Sequence, residues 1–113
     1  MSAISVYATF ANAEEAELIG RTVVEERLAA CVNILGAIDS IYRWRGEVER
    51  GSEVAAIFKT TDAAADALMA RIAELHSYDV PCIVTWSIEK ILGGYADWVE
   101  DSVGDARTGS RYK

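Results

Sequence analysis

The run Cys31-Val-Asn-Ile-Leu-Gly-Ala-Ile-Asp-Ser-Ile-Tyr-Arg-Trp44, then Arg45-Gly46, then Glu47-Val-Glu-Arg-Gly-Ser-Glu-Val-Ala-Ala-Ile-Phe-Lys-Thr-Thr61, decides the fold. Two long β-type runs flank a short break whose Gly46 takes the positive φ of a tight hairpin turn. Arg43 and Arg45 approach Glu47 and Glu49 across that turn, so opposite charges favour the register. Gly36 and Gly51 sit where a bulge bends a strand. A strand of about fourteen residues spans about 46 Å, whereas a globule of this chain length is roughly 35 Å across. The hairpin therefore either folds back at its glycines or projects beyond its own domain. A projecting hairpin exposes Ile38, Ile41, Tyr42, Trp44 and Val48 together with open strand edges, which further copies of the chain cover most simply.

Residues 4–10 alternate apolar and small polar positions and read as a first strand. Asn12 suits a helix N-cap, with Glu15 three residues on as its capping-box partner. Ala16, Ile19, Gly20, Val23 and Arg27 share one face of a helix over about 12–28, and Glu17 and Arg21 form an i,i+4 pair on the wet side. Gly20 in mid-helix points to close packing on a sheet. Thr61 or Asp62 caps a second helix, about 62–76, with Ala65, Leu68, Met69, Ile72 and Leu75 on its apolar face. Pro81 precedes a fourth strand over 82–88, and Gly93-Gly94 opens a short last helix. The order β-α-β-β-α-β is the ferredoxin-like, split βαβ pattern of the α+β class, here with a long β2-β3 hairpin and an extra C-terminal helix. Strands 1 and 3 belong in the middle of the sheet, strands 2 and 4 at its edges.

The chain has 113 residues with eleven Lys and Arg against eighteen Asp and Glu, a net charge of −7. That balance argues against a nucleic-acid partner, since phosphate binding needs cationic surface. No apolar run reaches the roughly 18 residues of a membrane span, and the first residues show no signal-peptide pattern. The expectation is a cytoplasmic single domain, residues 1–103, followed by a flexible basic tail, residues 104–113, with Arg107, Arg111 and Lys113. Two cysteines build no disulfide framework.

Glu26-Arg-Leu-Ala-Ala-Cys-Val-Asn-Ile34, Ser40-Ile-Tyr-Arg-Trp44, Gly46-Glu47, Lys59-Thr-Thr61, His76-Ser-Tyr78, Val80-Pro81 and Gly94-Tyr-Ala-Asp-Trp98 resemble the CutA family of divalent-cation-tolerance proteins in order and spacing, over about residues 4–103. The resemblance implies a compact homotrimer whose hairpins extend the sheets between subunits, and a cellular link to copper and other divalent cations. Where the family has His-Pro-Tyr this chain has His76-Ser77-Tyr78. Where it has Pro-Glu this chain has Pro81-Cys82. A family Cys implicated in copper binding falls at about Ala8.

Two kinds of site remain open. A metal site pairs His76, the only histidine, with Cys82, Asp79 or a neighbouring subunit's carboxylate. It would hold Cu²⁺ or another divalent cation weakly, whereas the plainer reading makes His76 a helix C-terminal residue meeting the last carbonyls. A ligand cleft between subunits would be lined by Lys59, Arg27, Glu53, Tyr78 and Glu89, with Lys59 paired to Glu89 or Glu53. Tyr42, Trp44, Trp86 and Trp98 read as packing between subunits rather than as base-stacking platforms. No nucleophile-base signature, Walker loop or Rossmann loop occurs. The expected protein is therefore non-enzymatic: a trimer that binds metal ions or a small ligand at its clefts. The alternative is a trimeric small-ligand signalling module of PII-like architecture acting through partner proteins.

Overall fold

The computed structural model describes residues 3–104. Along the chain run β1 (Ala3–Phe10), α1 (Ala13–Glu25), β2 (Cys31–Trp44), β3 (Glu47–Thr61), α2 (Asp62–Leu75), β4 (Ile83–Ser87) and α3 (Gly93–Ser102). The strands form one antiparallel sheet in the order β2-β3-β1-β4, the split βαβ arrangement expected above. The expected tail lies outside the described residues except for Gly104.

Asn12 Oδ1 accepts the Glu15 N–H at 2.8 Å, and Glu15 Oε1 accepts the Ala11 N–H at 3.0 Å. This is a capping box displaced by one residue. Ala16, Ile19, Gly20 and Val23 face the sheet. A Cβ on Gly20 would stand 2.9 Å from Val32 Cγ1, so the glycine lets helix and sheet close together. Gly20→Ala gains about 1 kcal/mol of helix propensity. The branched valine has little rotamer freedom to yield, and the overpacking outweighs that gain. We expect a net loss of about 1 kcal/mol in urea unfolding; a more stable variant would refute the close approach.

α1 stops three residues short of its expected end. The Leu28 N–H bonds to Val23 O and the Arg27 N–H to Val24 O, both at 3.0 Å, and Arg27 has φ 61. These are the bonds of a Schellman cap, with arginine where glycine is usual. Val6, Phe10, Ile19, Phe58, Leu68 and Ile72 form the core between α1, α2 and the sheet. α3 closes one end of the sheet, where Val99 and Val103 meet Ala3 and Ala30.

Arg45 (φ 51) and Gly46 (φ 82) both lie in the left-handed region, the geometry of a two-residue type I′ hairpin turn. Gly36 (φ 110) carries a bulge, with the register shifting between Ile34 and Gly36. Gly51 does not: it stays in register opposite Ser40, and a Cβ there would stand 3.3 Å from Tyr42 Oη. Its smallness serves the tyrosine, not a bend.

The expected charge pairs across the turn do not form. The register sets Arg43 opposite Val48 and Tyr42 opposite Glu49. Arg43 reaches Gly46 O at 3.5 Å, and Arg45 lies 5.1 Å over the Trp44 ring. The ion pair of the hairpin is Arg50 with Asp39 at 2.9 Å. Nor do Glu17 and Arg21 pair on α1; the helix is tied instead by Arg71 of α2, which holds Glu26 and Glu74 at 2.8 Å.

The molecule measures 50 × 26 × 24 Å, so the hairpin projects and the Gly36 bulge does not fold it back. Val84, Trp86, Tyr42 and Trp44 are exposed. The register places all four on the face of the sheet opposite the Val6, Phe58 and Val54 side chains that meet the helices.

Candidate functional site

The sequence candidates separate into distinct places. Glu53 and Tyr78 come together at the base of the projecting hairpin. Tyr78 Oη donates to Glu53 Oε2 at 2.9 Å, and Ser40 Oγ donates to Glu53 Oε1 at 2.7 Å. Burial and the adjacent Glu53 carboxylate push the Tyr78 hydroxyl up to about 12, so Tyr78 stays a donor at neutral pH.

His76 stands behind this pair. Its side chain is fully buried, stacked on Phe10 with centroids 5.1 Å apart and tilted against Tyr78 at 4.7 Å. Nε2 lies 2.7 Å from Thr9 O, and Nδ1 accepts the Tyr78 N–H at 3.1 Å. A carbonyl on one nitrogen and an N–H on the other select the neutral Nε2–H tautomer. The only nitrogen lone pair is therefore already used. A cation at His76 would have to displace the Tyr78 amide, and among the described residues no group of three His, Cys, Asp or Glu side chains is placed to hold a metal. A divalent cation does not fit this donor set. The sequence reading of His76 at the helix end is close, because it is the α2 C-cap; its ring, however, turns to β1 rather than to the helix carbonyls.

Glu15 completes the loop. Beyond its bond to Ala11, its Oε2 accepts the Ser77 N–H at 2.7 Å and lies 3.9 Å from His76 Nδ1. Burial raises the Glu15 carboxyl, but the Ala11 and Ser77 donors outweigh it and hold the group below the usual carboxylate value of 4.5. A folded-state value below the unfolded one means stability that is complete above about 4.5 and lost as pH falls through the lower folded value. Glu15→Gln is expected to flatten this acid limb in urea unfolding between pH 3 and 6. An acid limb unchanged in the variant would assign it to other carboxylates.

Lys59 is elsewhere. It lies six residues along β3 from Glu53, about 20 Å at strand spacing, opposite Ser5 on β1 and Cys31 on β2. Within one protomer the expected pairing to Glu53 or Glu89 is absent. Both Glu53 oxygens are taken by Ser40 and Tyr78, and the ion pairs among the described residues do not include Lys59. Glu89 is exposed in the segment after β4.

Arg27 also leaves the cleft. Its Nε donates to Gly104 O at 2.6 Å and Nη2 to Asp101 O at 2.7 Å, so it caps the C-terminal end of α3. This explains the arginine at a left-handed position: the side chain recovers what the backbone loses. Sequence reasoning missed it because a left-handed C-cap is normally signalled by glycine.

Trp86 stacks on Tyr7 with centroids 5.0 Å apart and stays half exposed, as does Trp44. Trp98 packs within the protomer, 5.5 Å from Tyr95 and against the α3 cluster, so it is less available to a neighbour than the other aromatics. Cys82 is exposed, while the half-buried Cys31 has Sγ 3.4 Å from Tyr95 Oη. No helix among the described residues is long and apolar enough to cross a membrane.

Comparison with known proteins adds to this geometry. The family profile described as CutA1 divalent ion tolerance protein matches residues 4–102. The "Divalent-cation tolerance protein CutA" of Thermotoga maritima is 44% identical over 100 residues, covering 88% of this chain and 98% of that one. The solved structure of the divalent cation tolerance protein (Cut A1) of Thermus thermophilus superposes with TM-score 0.87 at 42% identity, covering 90% of this chain and 99% of the other. The Archaeoglobus fulgidus protein, described as a periplasmic divalent cation tolerance protein CutA, gives TM-score 0.87 at 36% identity over the same shares.

Proposed function

The chain belongs to the CutA1 divalent ion tolerance protein family, and from that membership we propose that it acts as a non-enzymatic homotrimer contributing to tolerance of divalent cations such as copper. One observation carries the assembly. The face of the sheet away from the helices presents Tyr42, Trp44, Val84 and Trp86 exposed, on a hairpin that extends the protomer to 50 Å. Apolar surface of this kind, beside unpaired strand edges, is costly for a lone chain. Three chains of 12.3 kDa give about 37 kDa. The two free thiols suit the reducing cytoplasm.

The cleft reading places Lys59 of one subunit against a carboxylate of the next, because the ion pairs among the described residues of the protomer do not include it. Glu53 and Tyr78 form a second polar wall at the hairpin base. The occupant of such a cleft is a small ligand with an anionic group, or a cation held by carboxylates and Cys82 rather than by His76. Two measurements test this. Sedimentation equilibrium at micromolar concentration should give about 37 kDa, and a monomer would end the proposal. Calorimetric titration with a metal panel and then a metabolite panel should find a ligand whose binding is lost in Lys59→Met while the trimer persists, since an apolar replacement of a buried ion pair is often neutral for stability. Binding unchanged in Lys59→Met would remove Lys59 from the site.

A further inference from the structure

One imidazole ties the end of β1 to the base of the hairpin. His76 Nε2–H donates to Thr9 O at 2.7 Å, and His76 Nδ1 accepts the Tyr78 N–H at 3.1 Å. Tyr78 Oη in turn holds Glu53 of β3, and Glu53 holds Ser40 of β2. A line of hydrogen bonds therefore runs from β1 through the segment between α2 and β4 into both strands of the hairpin. A second group faces the same nitrogen. Glu15 Oε2 of α1 lies 3.9 Å from Nδ1, too far for a hydrogen bond but within reach of a small shift of either side chain.

These two neighbours need opposite things of Nδ1. The Tyr78 amide needs its lone pair, whereas the Glu15 carboxylate needs a proton on it. We propose that His76 is a proton-operated switch: a protonated Nδ1 leaves the Tyr78 amide for Glu15 Oε2, and the hairpin base loses its tie to the end of β1.

The groups around the ring equip it for both states. α1 brings Glu15, the chain after α2 brings the Tyr78 hydroxyl, and Glu53 of β3 and Tyr42 of β2 stand beyond that hydroxyl. β1 brings the Phe10 ring and the Thr9 carbonyl, neither of which titrates. Glu15 is held below the usual carboxylate value, so it is an anion over the range in which histidines ordinarily change charge. The fully buried ring could not carry an uncompensated charge. Here the carboxylate compensates it. The carbonyl end of α2, with no basic residue in its last turn, adds to this, as does the face of Phe10, stacked 5.1 Å away. The Glu15 side chain is 13% exposed, which gives a proton a route to Nδ1 from solvent.

The test is an NMR titration of the nitrogen-15-labelled full chain from pH 8 to pH 5. The imidazole nitrogens should pass from the neutral Nε2–H pattern to the imidazolium pattern. Over the same range the protection of the Tyr78 amide against hydrogen exchange, corrected for the pH dependence of exchange itself, should fall about tenfold. Amides of the β2–β3 ladder beside Glu53 should lose protection with it. In Glu15→Gln the imidazolium loses its anion, and the midpoint should move down by about one pH unit or more, roughly a tenfold loss of proton affinity. A ring that keeps the neutral pattern to pH 5 overturns the proposal. So does an imidazolium that leaves the Tyr78 amide or the ladder as protected as before, and so does a midpoint unmoved in Glu15→Gln. Should that variant fail to fold, the wild-type titration decides alone through its own two outcomes.

Discussion

Trp44→Asp is expected to release monomers at micromolar concentration while leaving the protomer folded. Trp44 is 53% exposed in the isolated chain and stands opposite Glu47 at the tip of the hairpin. Its intramolecular contact is the Arg45 guanidinium, so the protomer loses little when the ring is removed. In a trimer the same ring would be buried. A central aromatic typically accounts for about 2 kcal/mol or more at one interface, and a closed ring of three subunits has three such interfaces. The expected loss is about 6 kcal/mol, on the order of 10⁴-fold in the assembly constant. The new carboxylate beside Glu47 adds like-charge repulsion. Sedimentation equilibrium separates the outcomes. A variant that still assembles at micromolar concentration would show that the hairpin tip lies outside the interface.

His76→Ala is expected to be the costliest single change at the candidate site, at about 3 kcal/mol. The substitution empties a fully buried position, removes the stack on Phe10, and strips Thr9 O and the Tyr78 N–H of their partner. His76→Phe restores the ring but not the two hydrogen bonds, so it should recover only part of the loss. Urea unfolding at fixed protomer concentration measures both, since assembly shifts apparent stability. A loss below about 1 kcal/mol in His76→Ala would mean that the ring is not structural. Copper titration supplies an independent check. Cu²⁺ heads the affinity series for nitrogen and sulfur donors, yet binding should be weak and should survive the substitution. A tight Cu²⁺ site abolished by His76→Ala would reverse the assignment.

The sequence by itself determined the element order, the strand order, the hairpin turn near Gly46 and the close approach at Gly20. Each of these rests on local chemistry: alternation, helical spacing, caps, and glycine where no Cβ fits. Residues 31–61 also set the length of the hairpin, because strand length follows from residue count, but they left open whether it folds back at its glycines or projects, and the 50 Å extent of the folded chain decided that. The resemblance to the CutA family was legible in the same runs. What only the tertiary structure decided depends on partners distant in sequence. Arg27 reads as a helix-face or cleft residue until α3 arrives 74 positions later to receive its guanidinium. Glu53 and Tyr78 meet although 25 residues apart, which separates Glu53 from the lysine six residues along its own strand. His76 reads as a metal ligand or, more plainly, as a helix-end residue until Thr9, 67 positions away, and the Tyr78 amide occupy both of its nitrogens. A side chain's type sets what it can bond, but only the packing of distant segments determines which partner uses that capacity first.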